Sequence, residues 1–264
     1  MEYRLVLKNG LGNKIFILVN MLHRYPKDKL FVVDKTSHHQ EGVPEEKVWH
    51  LFPALKDHPR IEFITWRKYD SLEIPELEVP WKIFYEIDGF VPRIKSYFHP
   101  NQDYEMLEDK LNFKGIFVHV RLGDKVKENI QALKAGKPQK YIVLKPAYYL
   151  DNILALRKKN EPVYILSDDL ELAERILPGF EYPDLNVNET FYCFWKARKV
   201  ILSESTLSIS AVLLGGKKTI IVPNFLLMPN EDKKYTLQES PYFSDGESNK
   251  KYIMKTLEDY SILK

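Results

Sequence analysis

His119, Arg121 and Asp124 stand at the end of one short run, Phe117-Val118-His119-Val120-Arg121-Leu122-Gly123-Asp124-Lys125, in which an apolar, strand-like segment gives way to an imidazole, a guanidinium and a carboxylate. A guanidinium offers charge-assisted, paired hydrogen bonds to phosphate, so the cluster suits the gripping of an anion. Alternation along a strand puts Ile116, Val118 and Val120 on one face and Phe117, His119 and Arg121 on the other. Burying the polar pair without partners would cost roughly 2–7 kcal/mol for the neutral group and more for the charged one. Both are therefore expected at the rim, at the carboxyl end of the strand, where open α/β sheets bind ligands. Gly123 allows a sharp departure, and Asp124 is placed to orient Arg121 or to cap the next segment. A plain strand exit carrying a surface salt bridge would use the same residues.

Three further segments have the same character. Gly10-Leu11-Gly12-Asn13 comes after a short apolar run and opens a helical pattern, and glycines there let backbone N–H groups approach a phosphate or sugar. A simple glycine turn is the competing reading, since the segment is neither a Walker loop nor a full GxGxxG. Ser167-Asp168-Asp169 comes after another apolar run. There a carboxylate can accept hydrogen bonds from a guanine or ribose edge, or one Asp can cap a helix. No third carboxylate lies nearby in sequence, so magnesium binding ranks lower. Ser203-Glu204-Ser205-Thr206-Leu207-Ser208 starts an apolar helix with a series of hydroxyls. Hydroxyls and free N–H groups at a helix N-terminus can hold a diphosphate, with Arg121 supplying the charge that a metal would otherwise supply.

The elements that must position these groups alternate. The pattern predicts strands over 3–7, 30–33, 116–120, 163–166, 200–202 and 219–222, with helices over 14–23, 146–159, 170–177, 190–198 and 206–214. Residues 35–42 read as a loop and 125–140 as an irregular basic excursion, while 250–263 reads as a final helix. Strands alternating with helices at this spacing argue for βαβ units and parallel sheets. Residues 49–100, rich in Pro, Trp, Tyr and Phe, show only short periodic pieces. Trp66, Trp81, Phe84 and Tyr85 lie there, suited to core packing or to stacking on sugar rings. A boundary within 97–113 gives an N-terminal lobe over 1–105, a second lobe over 106–249 and a C-terminal helix over 250–264.

Composition narrows the classes. With 264 residues, 44% of them hydrophobic, the chain can bury a full core. Thirty-nine Lys and Arg stand against 37 Asp and Glu, for a formal charge of +2, which gives no footprint for nucleic acid or an anionic membrane. The lone cysteine, Cys193, excludes an intrachain disulfide and a cysteine-based zinc site, fits a reducing compartment, and sits in an aromatic stretch where it is expected buried and inert. The amino terminus lacks a basic region followed by an apolar one, and no stretch of ~18 apolar residues occurs, so the reading is of a cytoplasmic chain without a membrane span, of bacterial or viral source.

Taken together, these segments resemble the α1,2-fucosyltransferase family, glycosyltransferase family eleven, and more distantly the α1,6- and protein O-fucosyltransferases. Gly10-Leu11-Gly12-Asn13 is similar to that family's GGLGNQ segment, and His119-Val120-Arg121-Leu122-Gly123-Asp124 to its HxRRxD donor motif. Ser167-Asp168-Asp169 is similar to its SDD-type motif, and the run from Lys199 to Ser208 to H-x-I-I-x-N-S-T/S-F/Y-S. The resemblance implies a GT-B-like α/β fold, two Rossmann-like lobes with parallel sheets and a cleft between them. The first lobe would take a glycan or oligosaccharide acceptor and the second a GDP-sugar donor. It implies inverting, metal-independent transfer of fucose from GDP-fucose, most simply into an α1,2 linkage, with no cofactor beyond the donor substrate. Carried across, Arg121 would bind the β-phosphate and stabilise departing GDP, and His119 would shape the donor pocket. Asp168, with Ser167, would contact the guanosine, Ser205, Thr206 and Ser208 would hold phosphate oxygens, and Gly10, Gly12 and Asn13 would approach the donor. Asp124 and Asp34 are candidates for the general base, and Asp124 equally for orienting Arg121. The chain departs from the family pattern at Leu122, in place of a second arginine, at Ile209-Ser210, in place of a tryptophan pair, at Glu204, in place of Asn, and at Thr190, in place of an acidic residue that here stands at Glu189. Transfer of another GDP-sugar, or a non-catalytic glycan- or nucleotide-binding protein of the same fold, are the alternatives.

Overall fold

The computed structural model describes residues 1–35, 47–77, 94–137, 143–203, 205–215, 219–223 and 251–255, the last stretch and Leu133 as backbone only. The chain divides into two compact units, Met1–Met106 and Leu107–Lys264. Each is an α/β unit built on a parallel sheet, as the alternating pattern requires.

The first unit runs β1 (Glu2–Leu7), α1 (Leu11–Arg24), β2 (Lys29–Asp34), α2 (Val48–Leu51), β3 (Ile61–Phe63) and α3 (Trp66–Ser71), with strands in the order β1-β2-β3. Helix α1 forms because Leu11, Ile15, Leu18, Val19 and Leu22 recur on one face, and all five are buried. At its far end Arg60 donates to the carbonyls of Tyr25 at 2.6 Å and Leu22 at 3.4 Å, satisfying groups that the helix leaves open. The irregular aromatic stretch hides β3, whose three residues are too few for periodicity to reveal.

The second unit runs β4 (Ile116–Val120), α4 (Gly123–Lys134), α5 (Pro146–Leu156), β5 (Val163–Ser167), α6 (Leu170–Ile176), α7 (Val187–Lys196), β6 (Lys199–Ile201), α8 (Thr206–Leu214), β7 (Thr219–Pro223) and β8 (Lys251–Lys255). Its sheet, ordered β5-β4-β6-β7-β8, is parallel throughout. Every residue of β4 is buried. Ile116, Val118 and Val120 join the core formed with Tyr148, Ile153 and Ile165, while on the other face Phe117 lies against Phe113 and Tyr164, and His119 against Phe194.

Two expectations are corrected. The basic excursion after Gly123 is helix α4, because Val126, Asn129 and Ala132 recur at helical spacing and turn inward among the charges; residues 138–140 lie outside the described chain. The expected helix over 250–264 is a strand over Lys251–Lys255, where the backbone pairs with β7 from Thr219↔Lys251 to Pro223↔Lys255. A five-residue run with an apolar centre fits either state by periodicity, and the open edge of β7 decides it. Residues 256–264, the expected loop over 36–42, Glu204, Trp81, Phe84 and Tyr85 lie outside the described residues.

Candidate functional site

From β4 the chain passes to β5 on one side and returns to β6 on the other, so the connections diverge between β4 and β6. In doubly wound sheets such a divergence is where a crevice forms beyond the carboxyl ends of the strands, the usual ligand position. Val118 pairs with Ile201, so the chain leaves β4 through His119 to Arg121 beside its exit from β6 through Leu202 to Ser205. The neighbouring exit of β5 brings Ser167, Asp168 and Asp169.

Arg121 is held between two carboxylates. One guanidinium nitrogen pairs with Asp168, and Nη2 lies 2.6 Å from Asp124 Oδ1. The two partners differ: the Asp168 side chain is 20% exposed and that of Asp124 56%. Asp168 also accepts the Leu122 backbone N–H at 2.8 Å. Burial pushes the Asp168 carboxyl upward, against the pull of Arg121 and of the Leu122 N–H. The close approach explains Gly123, since a Cβ there would lie 2.2 Å from Asp168 Oδ2 and 2.8 Å from its Cγ. Asp168 thus ties the ends of β4 and β5 together, pairing with Arg121 and with the Leu122 N–H. Asp169 caps α6 through Leu172 N–H at 3.1 Å, and Ser167 closes a local turn with the Asp169 backbone. Leu122 is fully buried in the core, which accounts for an apolar residue in place of a second arginine. Glu189 completes a capping box with Asn186 at the start of α7.

Across the crevice, Ser205 caps α8 by accepting the Leu207 N–H, and Thr206 is half-buried beside it. Ser208 is fully buried and its Oγ lies 2.8 Å from His119 Nδ1, so this hydroxyl is committed inward and does not line the surface. His119 is buried as well. Desolvation, aided by the nearby charges of Arg121 and Lys125, lowers its pKa to about 3, and the imidazole is neutral near pH 7. Arg121, Asp124, Ser205 and Thr206 are thus among the accessible polar groups at these strand ends, whereas His119 and Ser208 are buried.

Gly10, Gly12 and Asn13 belong to the first unit. Gly10 is the N-cap of α1 at φ −64° without a side-chain cap, and a Cβ built on it meets nothing within 4 Å, so neither backbone strain nor packing accounts for glycine there. Asp34, at the end of β2, is fully buried in an ion pair with Lys14 at 2.7 Å and accepts the Val48 N–H at 2.7 Å. Its burial raises its pKa, and Lys14 opposes that. Tied in this way, Asp34 joins α1, β2 and α2 and is poorly suited to taking a proton from a substrate.

Sequence reasoning missed Tyr149, which is fully buried close to Ser203, where the chain leaves β6. Its only signal is a Tyr148-Tyr149 pair near the start of α5. Among the described residues no three His, Cys, Asp or Glu side chains converge in a way that could hold a metal ion, and no helix is long and apolar enough to cross a membrane.

No family model and no curated protein matches the chain. Solved structures similar to it include POFUT1 in complex with GDP-fucose, at 12% identity and TM-score 0.48 over 80% of this chain and 92% of that one. The Escherichia coli ADP-heptose LPS heptosyltransferase II matches at 9% identity and TM-score 0.48 over 96% and 90%. A family 9 glycosyl transferase from Veillonella parvula DSM 2008 matches at 10% identity and TM-score 0.43 over 98% and 86%. At such identities and scores these likenesses assign neither substrate nor reaction.

Proposed function

We propose that the chain is a glycosyltransferase that uses a GDP-sugar, GDP-fucose in the first instance, and transfers the sugar with inversion to a glycan hydroxyl, forming an α1,2 linkage without a metal. The observation that carries this reading is the adjacency of two strand ends at the β4–β6 divergence: β4 leads into Arg121, and the neighbouring β6 leads into the capped first turn of α8, so a guanidinium and helix N–H groups are offered from adjacent strands. A diphosphate bound there replaces the more exposed Asp124 as partner of Arg121, while Asp168 keeps the guanidinium in place. The acceptor oxygen attacks the anomeric carbon as the bond from that carbon to the β-phosphate oxygen breaks, and the electron pair leaves with GDP. Arg121 and the α8 end stabilise the charge that develops on the phosphate, an effect worth about 3–4 kcal/mol for one well-placed donor in a water-poor site. Asp124, released from Arg121, is the group at hand to take the hydroxyl proton. Donor binding is assigned to the second unit and acceptor binding to the first.

Calorimetric titration with GDP, GDP-fucose, GDP-mannose and UDP-galactose in EDTA tests this. GDP and GDP-fucose should bind without metal, and Arg121→Ala should lose transfer by at least about a hundredfold. Binding of UDP-galactose alone, or normal transfer by Arg121→Ala, would overturn it. GDP binding with no transfer to any glycan would favour a binding protein of the same fold.

A further inference from the structure

The crevice holds more buried polar groups than anion binding requires. Tyr149 on α5, Ser203 after β6, His119 at the end of β4 and Ser208 on α8 are each 4% exposed or less. The last three form one chain, with Tyr149 buried beside it: Ser203 Oγ lies 3.4 Å from His119 Nδ1, and the same nitrogen lies 2.8 Å from Ser208 Oγ. The Ser208 hydroxyl donates to the Ser205 carbonyl at 3.4 Å, so it accepts from His119, which selects the tautomer protonated at Nδ1. The ring rests against Phe194 on α7, with centroids 5.2 Å apart. The end of β4, the exit of β6 and the start of α8 thus meet in a buried polar network, and such a network specifies one arrangement of the elements it joins.

We propose that His119 is a positioning residue, a strut that holds the first turn of α8 against the end of β4 so that the α8 N–H groups and Arg121 form a single diphosphate-binding surface, without itself touching the ligand. The proposal rests on the nucleotide-sugar reading above and differs from it in what His119 and Ser208 do. Neither is a ligand contact: Ser208 transmits the position of the imidazole to the capped turn that begins at Ser205. Relaxing either end of the 2.8 Å contact lets the turn drift and weakens the grip on the diphosphate, while the chemistry at saturating donor continues.

The test is titration of the full chain with GDP and with inorganic pyrophosphate, using His119→Ala, His119→Asn, Ser208→Ala and the double variant His119→Ala/Ser208→Ala. The amide N–H of Asn reaches close to the position of Nδ1–H and keeps the bond to Ser208. Each Ala variant should weaken GDP about tenfold, raising KM for the donor more than it lowers kcat. The double variant should be no weaker than the singles, because one strut is removed once. His119→Asn should stay within about threefold of the native chain. A ¹⁵N spectrum of the native chain should show the Nδ1-protonated neutral ring. Native GDP affinity in both Ala variants, losses that add in the double variant, or a His119→Asn loss as large as that of His119→Ala would overturn the strut while leaving the nucleotide reading standing. Failure of the native chain to bind either GDP or pyrophosphate would overturn that reading, and the strut with it.

Discussion

Gly123→Ala gives a sharp test of how the crevice is built. The φ of Gly123 lies outside the left-handed region, so an alanine can adopt the backbone, and the difficulty is purely one of space. Ordinary contact begins near 3.4 Å, whereas the added Cβ would lie 2.2 Å from Asp168 Oδ2, so the carboxylate must withdraw by more than about 1 Å. That movement breaks the 2.8 Å bond from Leu122 N–H and the Arg121–Asp168 pair. Hydrogen bonds to a charged group contribute about 1.5–3 kcal/mol each, and replacing Gly by Ala at a helix end returns up to about 1 kcal/mol. The net loss should be about 2–4 kcal/mol. In an Asp168→Ala background the closest atom left is the Cβ of residue 168, at an ordinary 3.6 Å, so the same substitution should cost nothing. Urea unfolding of the four proteins, monitored by far-UV circular dichroism, yields the coupling, expected on the order of 3 kcal/mol. A Gly123→Ala cost that is the same with and without the Asp168 carboxylate would refute the reasoning.

The same contacts set other outcomes. Lys14→Met leaves Asp34 buried without its cation and should cost about 3–5 kcal/mol, most of it recovered by Lys14→Met/Asp34→Asn, in which the amide oxygen still accepts the Val48 N–H; denaturant midpoints of the pair decide this. His119 is depressed to about 3 in the fold, so the unfolded chain binds its proton first and the native state loses stability as pH falls from about 6.5 toward 3. From pH 7 to pH 5 that loss is about 2 kcal/mol, and His119→Asn should remove it from the measured slope, with equal slopes counting against a buried neutral imidazole. His58, lowered to about 4 by burial and Arg60, adds a second contribution of the same sign. Gly10→Ala should unfold within about 0.5 kcal/mol of the native chain, having open space and a permissive φ, and a larger shift in its urea midpoint would count against that reading of the turn.

Much of the fold was legible in the sequence wherever burial and periodicity agree. Ile116–Val120 and Thr206–Leu214 coincide with the patterns that announce them, and α1 and α6 shift only at their ends. Helix α4 was hidden because its inward groups include a polar residue, Asn129, set among Lys125, Lys127, Glu128 and Lys134. Strand β8 was hidden because its identity lies in the partner it pairs with. At the strand ends, residue types announced a polar cluster, but not which partner each member takes. That Asp168 holds Arg121 while Asp169 caps a helix depends on which carboxylate faces the end of β4, a matter of pairing between distant strands. The inward turn of Ser208 depends on an imidazole 89 residues away.

The order of the second sheet also bears on how the chain is made. Strand β7 ends at Pro223 and its outer neighbour begins only at Lys251. At ordinary rates of synthesis, about 5–20 residues per second, a nascent chain carries β7 for on the order of 2–6 s before its neighbour has been made. Until that neighbour is available, Ile220, Ile221 and Val222 lack the strand that pairs with them in the fold, and the first segment to cover that edge decides whether the sheet closes on its own chain or on another.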